Sequence, residues 1–426
     1  MTEKFNKVLQ VSGELTFDGD KSVSHRALIF SAMAEGDSII RNINRGLDVN
    51  STMNCLRELG VRIEDKNDFL IVHGKGLKGF ERPERMLDAG NSGTTARLLS
   101  GLLSVQNFKS EITGDESLCR RPMKRVCDPL REMGANIKSN DGFLPLTFFP
   151  SNELSAIRYQ LTIPSAQVKT AIILAALHLD EDTTIKETAG SRNHTENMLG
   201  LPVNPSPDGN IILINSSFYP SPREYDIPGD ISSASFFIVL CLLVPDSHLV
   251  LKSVLLNSQR LAFIKHLQNM GADITMLKDD GTSGELTGSI EVKYSQLRNV
   301  PFVNEMIPSL IDELPILTIA GLFAEGDFCL TNANELRVKE SDRIESMVAN
   351  IRLMGINVDV YEDGYKFPGN NTPTGGLLFD SYGDHRIAMS LIILALLLKD
   401  GAKINNLSAV KISNPNFFDQ LKKITR

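Results

Sequence analysis

Four short stretches of this chain set cations where a helix should begin. Lys21-Ser-Val-Ser-His-Arg26 follows Asp18-Gly-Asp20, and similar groupings recur at Arg120-Arg-Pro-Met-Lys-Arg125, Lys339-Glu-Ser-Asp-Arg343 and Asp384-His-Arg386. The helix dipole favours carboxylates at that end, not cations. Lys and Arg set against the dipole, behind a Ser22 or Ser24 able to cap the first stretch, are the pattern expected around a bound anion. Arg in particular grips phosphate or carboxylate with two parallel hydrogen bonds. A solvated basic surface would leave the same local marks. Two carboxylates also stand out: Asp312, just before a helix opened by Pro315, and Glu340, between Lys339 and Arg343 in the chain. A carboxylate beside such cations is held ionised. Proton transfer, a helix cap at Asp312 and a surface ion pair at Glu340 all fit that placement.

The elements that must position these residues repeat six times. A small or polar opener leads into an apolar helix, then a short turn and an alternating strand. The openers are Ser22-Val-Ser-His-Arg26, Asn91-Ser-Gly-Thr94, Ser165-Ala166-Gln167, Ser232-Ser-Ala-Ser235, Asp312-Glu-Leu-Pro315 and Asp384-His-Arg386. A second phrase falls between them: Leu56-Arg-Glu-Leu-Gly60, Leu130-Arg-Glu-Met-Gly134, Leu267-Gln-Asn-Met-Gly271 and Ile351-Arg-Leu-Met-Gly355. It predicts an amphipathic helix stopped by a glycine in the left-handed conformation, followed by a short strand. A period of roughly 65–85 residues is too long for a solenoid turn, so each unit is a small α/β assembly. Three units occupy 21–226 and three run from 228 to the end, with the Pro/Gly cluster at 219–230 as the crossing. A strand at 7–17 precedes the first opener, and periodicity leaves its partner open.

Bulk properties narrow the function. A chain of 426 residues suggests more than one domain, and a 42% hydrophobic share is ample for buried cores. A net charge of −8 argues against nonspecific nucleic-acid binding while permitting a locally basic anion site. Five dispersed cysteines without C-x-x-C suggest reduced thiols in the cytoplasm. The opening Met-Thr-Glu-Lys-Phe-Asn-Lys lacks the apolar stretch of a secretory signal. The apolar runs at 236–244 and 387–398 are about half a membrane span and are expected to be buried helices. Gly74-Lys-Gly-Leu-Lys-Gly79 fits a dinucleotide fingerprint, but no apolar helix follows it. Cys119 beside Arg120 has no identifiable base, and His194 with Glu196 does not complete a metal motif, so no metal is expected.

The chain resembles the 5-enolpyruvylshikimate-3-phosphate (EPSP) synthases over essentially its whole length. The matching stretches are Gly19-Asp-Lys-Ser-Val-Ser-His-Arg26, Gly90-Asn-Ser-Gly-Thr94, Arg121-Pro-Met123, Ser165-Ala-Gln167, Ser191-Arg-Asn-His-Thr-Glu196, Arg337-Val-Lys-Glu-Ser-Asp-Arg343 and Asp384-His-Arg386. The resemblance implies two α/β domains, each an inside-out barrel of three βαβαββ repeats, hinged around a cleft. The first would span 21–227 and the second 1–20 with 228–426, so that the first strand joins the C-terminal domain. It implies a cofactor-free transfer of the enolpyruvyl group of phosphoenolpyruvate to the 5-hydroxyl of shikimate 3-phosphate, with phosphate leaving. Lys21, Gly93, Arg121, Gln167, Arg343 and Arg386 match residues facing phosphoenolpyruvate. Lys21, Ser22, Arg26, Ser165, Ala166, Gln167, Arg192, Asp312 and Lys339 match residues holding shikimate 3-phosphate. Asp312 matches the base, Glu340 the acid that protonates the methylene carbon, and Lys21 joins them among the catalytic residues. A cytoplasmic monomer with no nucleic-acid or membrane partner is expected.

Departures accompany the match. Many members carry a phosphoenolpyruvate-contacting Lys near the C-terminus; alignment on Pro415 places Ile412 there, with Lys411 one residue off as a doubtful contact. Of four signatures of the glyphosate-tolerant branch, three match, the fourth carries Gln259 for Thr, and Gly93 is retained. Two alternatives remain open. The sibling transferase acting on a UDP-sugar shares the repeats, but Ser24-His-Arg26 and Arg121-Pro-Met123 speak against it. A non-enzymatic six-repeat ring such as a DNA clamp would spread its basic residues around lumen helices rather than gather them at helix starts.

Overall fold

A computed structural model describes every residue except Met1, Ala189, Asp280 and Thr282. The chain forms two compact units, one of Gly19–Ile227 with Gly281–Glu285, the other of Met1–Asp18, Pro228–Asp280 and Leu286–Arg426. The crossings fall after Asp18 and Ile227, and five residues of the second half belong to the first unit, a detail absent from the sequence reading.

In the unit of Gly19–Ile227 one motif occurs three times. Its second copy shows it in chain order: strand Leu87–Asp88, helix Gly93–Leu103, strand Ser110–Thr113, helix Lys124–Glu132, then strands Asn136–Asn140 and Phe143–Phe149. The first two strands pair in parallel and the rest antiparallel. The third copy repeats this around helices Ala166–Ala176 and His194–Leu199. The first copy, around helices Lys21–Met33 and Leu47–Glu58, takes its parallel strand from Glu224–Asp226 near the far end of the unit. The leading helices are buried on nearly every face, whereas the strands alternate buried and exposed residues. Helices therefore form the core and sheets the skin. Gly101 marks the closest packing, since a Cβ there would meet the Ala171 carbonyl oxygen at 2.2 Å.

The other unit repeats the plan around helices Ile231–Leu243, Leu314–Phe323 and His385–Leu397. The apolar runs near 236 and 387 lie inside two of these buried helices, and among the described residues no single helix is long and apolar enough to cross a membrane. The expected strand at 7–17 is broken. Within 7–17 only Ser12–Leu15 is a strand, pairing parallel with His248–Leu255, and a separate strand Glu3–Phe5 pairs antiparallel with Ala402–Asn405. The middle copy's parallel edge is a single bridge between Arg298 and Glu325. All six described sheets are open and none closes into a barrel.

The glycine stops are local and clear. Gly60, Gly134, Gly271 and Gly355 have φ of +85°, +93°, +98° and +77°. After the first three, the next residue's amide reaches back to the helix: Val61 to Leu56, Ala135 to Leu130 and Ala272 to Leu267, each at 3.0 Å. Gly200, at φ +66°, ends His194–Leu199 in the same way, with Leu201 donating to Glu196 at 3.0 Å. The sequence reading missed it because only Met-Leu-Gly survives of the phrase.

Candidate active site

Within the unit of Gly19–Ile227, the leading helices present their N-termini with short polar caps. Asp20, not Ser22 or Ser24, caps Lys21–Met33: its carboxylate accepts from the Val23 amide at 3.0 Å. That corrects the expected cap, and the buried acid also answers the unfavourable cations behind it. Ser92 caps Gly93–Leu103 and Ser165 caps Ala166–Ala176. Lys21 Nζ meets Asp48 at 2.8 Å. Arg26 is buried, donating to Thr195 Oγ1 and Thr170 Oγ1 at 2.8 Å and to the Ser22 carbonyl at 2.9 Å. Three of its five N–H groups are thus committed. Burial pulls the Arg26 pKa down to about 10; Glu196, Asp20 and Glu285 oppose the fall, and Arg192 adds to it.

A second grouping forms around Gly93. Arg97 NH1 donates to Gln167 Oε1 at 2.8 Å, and Gln167 Nε2 donates to Thr94 at 2.9 Å. Arg121, 7% exposed, donates to Asn91 at 2.9 Å. A Cβ on Gly93 would stand 2.8 Å from Arg97 NH1 and 3.6 Å from Arg121 NH1, so the missing side chain keeps space before both guanidiniums. Behind them, His25 Nδ1 bonds Thr52, Thr52 bonds Thr95 and Thr95 reaches Ser92, at 2.7, 2.7 and 2.8 Å, tying three helices together. Burial holds His25 neutral, with its pKa lowered to about 3 against the pull of Asp48.

The other unit gathers its charges on one guanidinium. Arg343, 1% exposed, donates from Nε to Asp384 at 2.8 Å and from NH2 to Glu340 at 2.6 Å, and its NH1 lies 3.5 Å from Asp312. Burial alone would lower its pKa; Asp384, then Glu340 and Asp312, outweigh that and raise it. Arg386 donates to the Asp312 carbonyl at 2.9 Å and lies 3.8 Å from its carboxylate and 3.6 Å from Glu313. Glu313 accepts from Ser232 at 2.5 Å, and Ser232 accepts from Arg260 at 2.6 Å. Lys339 is partly buried; desolvation leads in lowering its pKa, opposed first by Asp312. Asp312 does not cap Leu314–Phe323, whose first residue follows Glu313. Asp384 caps His385–Leu397 through the Arg386 and Ile387 amides.

The structure thus joins Asp312, Glu340, Arg343 and Arg386 in one cluster, with Lys339 within its electrostatic reach. It joins Gly93, Arg121 and Gln167 in another and Ser22 with Arg26 in a third, while Arg192 lies two residues before helix His194–Leu199. Lys411 is exposed on the turn Leu407–Ile412, with no bond or ion pair to the Arg343 cluster among the described contacts. Acids face the cations throughout: Asp48 meets Lys21, and acids surround Arg343 and Arg386. Sequence reasoning also missed Arg97. The sign was present, because Arg97 is a cation near the start of an opener helix, like the residues that were singled out. Asp48 and Glu313 gave no such sign. Cys119 Sγ faces the Gly114 carbonyl at 3.3 Å, and no metal-binding group of His, Cys, Asp and Glu occurs among the described residues.

A family model described as EPSP synthase (3-phosphoshikimate 1-carboxyvinyltransferase) matches residues 5–421. The chain is 43% identical over 423 residues to a protein of Alkaliphilus metalliredigens named 3-phosphoshikimate 1-carboxyvinyltransferase, covering 99% of each. It is 40% identical over 426 residues to the protein of that name from Bacillus subtilis, again covering 99% of each. Among solved structures it is similar to an EPSP synthase from Acinetobacter baumannii, with TM-score 0.86, 38% identity and 99% and 97% of the two chains covered. The enolpyruvyl transferase NikO from Streptomyces tendae shares the fold at TM-score 0.76 and 15% identity, with 100% and 97% covered.

Proposed function

The chain belongs to the EPSP synthase family, and from that membership we propose that it transfers the enolpyruvyl group of phosphoenolpyruvate to the 5-hydroxyl of shikimate 3-phosphate, releasing phosphate. The observation that supports the chemistry best is Arg343. One buried guanidinium pairs with Glu340, lies beside Asp312 and is aimed by Asp384, so an anion-binding cation and two candidate proton carriers share one point.

In this reading Asp312 takes the 5-hydroxyl proton while Glu340 gives a proton to the phosphoenolpyruvate methylene carbon. The new C–O bond forms at the adjacent carbon and yields a tetrahedral ketal. The C–O bond to phosphate then breaks, and the methyl group returns a proton to Glu340. Lys21, Gly93, Gln167, Arg121, Arg343 and Arg386 hold phosphoenolpyruvate, and Arg97 joins them through Gln167. Lys21, Ser22, Arg26, Ser165, Ala166, Gln167, Arg192, Asp312 and Lys339 hold shikimate 3-phosphate. An incoming phosphate competes for Arg343, loosens its pair with Glu340 and favours protonation of that carboxyl. Fixed cations then stabilise charge where it develops.

A phosphate-release assay with both substrates tests the reading. Asp312→Asn and Glu340→Gln should each lower kcat by about 10²–10⁴-fold while folding persists. Solvent deuterium exchange into the methylene reports the Glu340 step. Full turnover and full exchange in Glu340→Gln would pass the donor role to Lys21. Turnover with a UDP-sugar acceptor in place of shikimate 3-phosphate would favour the sibling enzyme. A cytoplasmic monomer belongs to the same proposal, motivated by five free cysteines; sedimentation at a mass other than 47.0 kDa counts against the monomer.

A further inference from the structure

The run Arg192-Asn-His-Thr-Glu196 ends in three buried side chains, and each is tied to a different element. Glu196 meets Lys169 at 2.6 Å, Thr195 accepts from Arg26 at 2.8 Å, and His194 Nδ1 meets Glu285 Oε1 at 2.7 Å. The last partner is unexpected. Glu285 is 91 residues further along the chain. It lies on Gly281–Glu285, the short segment between strands Asp273–Lys278 and Thr287–Lys293 that belongs to the unit of Gly19–Ile227.

The segment is docked closely. Gly284 has φ +82°, and a Cβ there would come within 2.5 Å of the Asn197 carbonyl oxygen, so a larger residue would force the backbones apart. Ser283 Oγ accepts from the Asp226 amide at 2.8 Å and donates to the Asp226 carbonyl at 3.2 Å. Glu285 Oε2 accepts from Asn197 Nδ2 at 3.3 Å. Both Glu285 and His194 are essentially inaccessible to solvent. A buried carboxylate held this firmly on a histidine two residues past Arg192 fixes the start of helix His194–Leu199, and with it the turn that carries Arg192.

We infer that Glu285 is a positioning residue for shikimate 3-phosphate: it fixes His194, and thereby the turn bearing Arg192. The inference rests on the assignment of Arg192 to that substrate. Burial lowers the His194 pKa, with Glu285 opposing the fall, so a neutral ring donating from Nδ1 to the carboxylate is the species present. Loss of Glu285 would let the turn relax and weaken the Arg192 grip on that substrate without touching the groups around Arg343.

Steady-state kinetics of the full chain, with each substrate varied in turn, tests this. Glu285→Ala should raise the shikimate 3-phosphate KM by about 2- to 10-fold, the worth of one buried hydrogen bond. The phosphoenolpyruvate KM should stay within about twofold. Glu285→Gln, whose amide oxygen still accepts from His194, should recover most of the loss. Combined with Arg192→Ala, Glu285→Ala should add little, because both act through one residue. Equal rises in both KM values, or a lowered melting temperature with unchanged KM, would overturn the inference. An unchanged KM in Arg192→Ala overturns the subsite reading and the inference with it; a raised KM there beside an unchanged one in Glu285→Ala overturns the inference alone. If Glu285→Ala does not fold, Glu285→Asp decides. It draws the carboxylate back by one methylene, and an unchanged shikimate 3-phosphate KM in that variant refutes the role.

Discussion

Lys169→Met should destabilise the unit of Gly19–Ile227 more than any single change at the exposed surface. Lys169 lies on helix Ala166–Ala176 and is fully buried. Its ammonium reaches Glu187 at 3.1 and 3.2 Å and Glu196 at 2.6 Å. Methionine keeps the stem and most of the volume but removes the charge. Two carboxylates, 4% and 3% exposed, then lose their cation; Glu187 keeps the Ser191 amide at 2.8 Å, and Glu196 Oε2 has no hydrogen-bond partner among the described residues. Removing one partner of a buried pair costs about 3–5 kcal/mol. For a unit of this size each kcal/mol moves the melting temperature by about 2–4 °C, so its transition should fall by about 6–20 °C. Adding Glu196→Gln removes one stranded charge and should restore part of the loss. Scanning calorimetry at neutral pH, with and without the second change, gives both numbers. A fall under about 2 °C, or a further fall on adding Glu196→Gln, would refute the view that Lys169 is there to balance those two acids.

Asp384 separates capping from charge balance. Asp384→Asn keeps an oxygen for the Arg386 amide, now accepted at 2.8 Å, but loses the charge facing Arg343; Asp384→Ala loses both and should be less stable by about 1 kcal/mol more. Equal destabilisation in urea unfolding would show that the cap contributes nothing. Acid should weaken the fold through its buried histidines. Burial lowers His25 to about 3, and His178 and His266 to about 4, so the unfolded chain binds the extra proton as pH falls. Their contribution is complete above the unfolded value of about 6.5 and is lost from there down to about pH 4 for His178 and His266 and about pH 3 for His25, at roughly 1.4 kcal/mol per pH unit for each. His266→Phe keeps the ring stacked 4.2 Å from Phe302 and should flatten the slope of melting temperature against pH between about pH 7 and pH 5; an unchanged slope would remove His266 from this account.

Features that depend on a few consecutive residues were legible in the chain. Glycine after an amphipathic phrase sets a left-handed stop because only local sterics are involved, and so Gly60, Gly134, Gly271 and Gly355 end their helices. Openers rich in Ser, Asp and cations marked the starts of the buried helices, and with them Lys21, Arg121, Arg343 and Arg386. Even a cap was ambiguous where several candidates crowd together: Asp20, Ser22 and Ser24 can all accept a bond, and only the backbone path decided for Asp20. Apart from Glu340, which stands beside Arg343 in the chain, the partners of the charges were not legible. Asp48 for Lys21, Gln167 for Arg97, Glu313 for Arg386 and Glu285 for His194 come from other elements, up to 91 residues away. Such pairs are set by strand register and helix packing, which bring groups within 4 Å only after apolar burial has fixed the helices. The chain's own pattern thus dictates which residues stand at helix starts. The tertiary packing decides which acid neutralises each cation, because a buried charge is tolerated only where a partner has been packed against it.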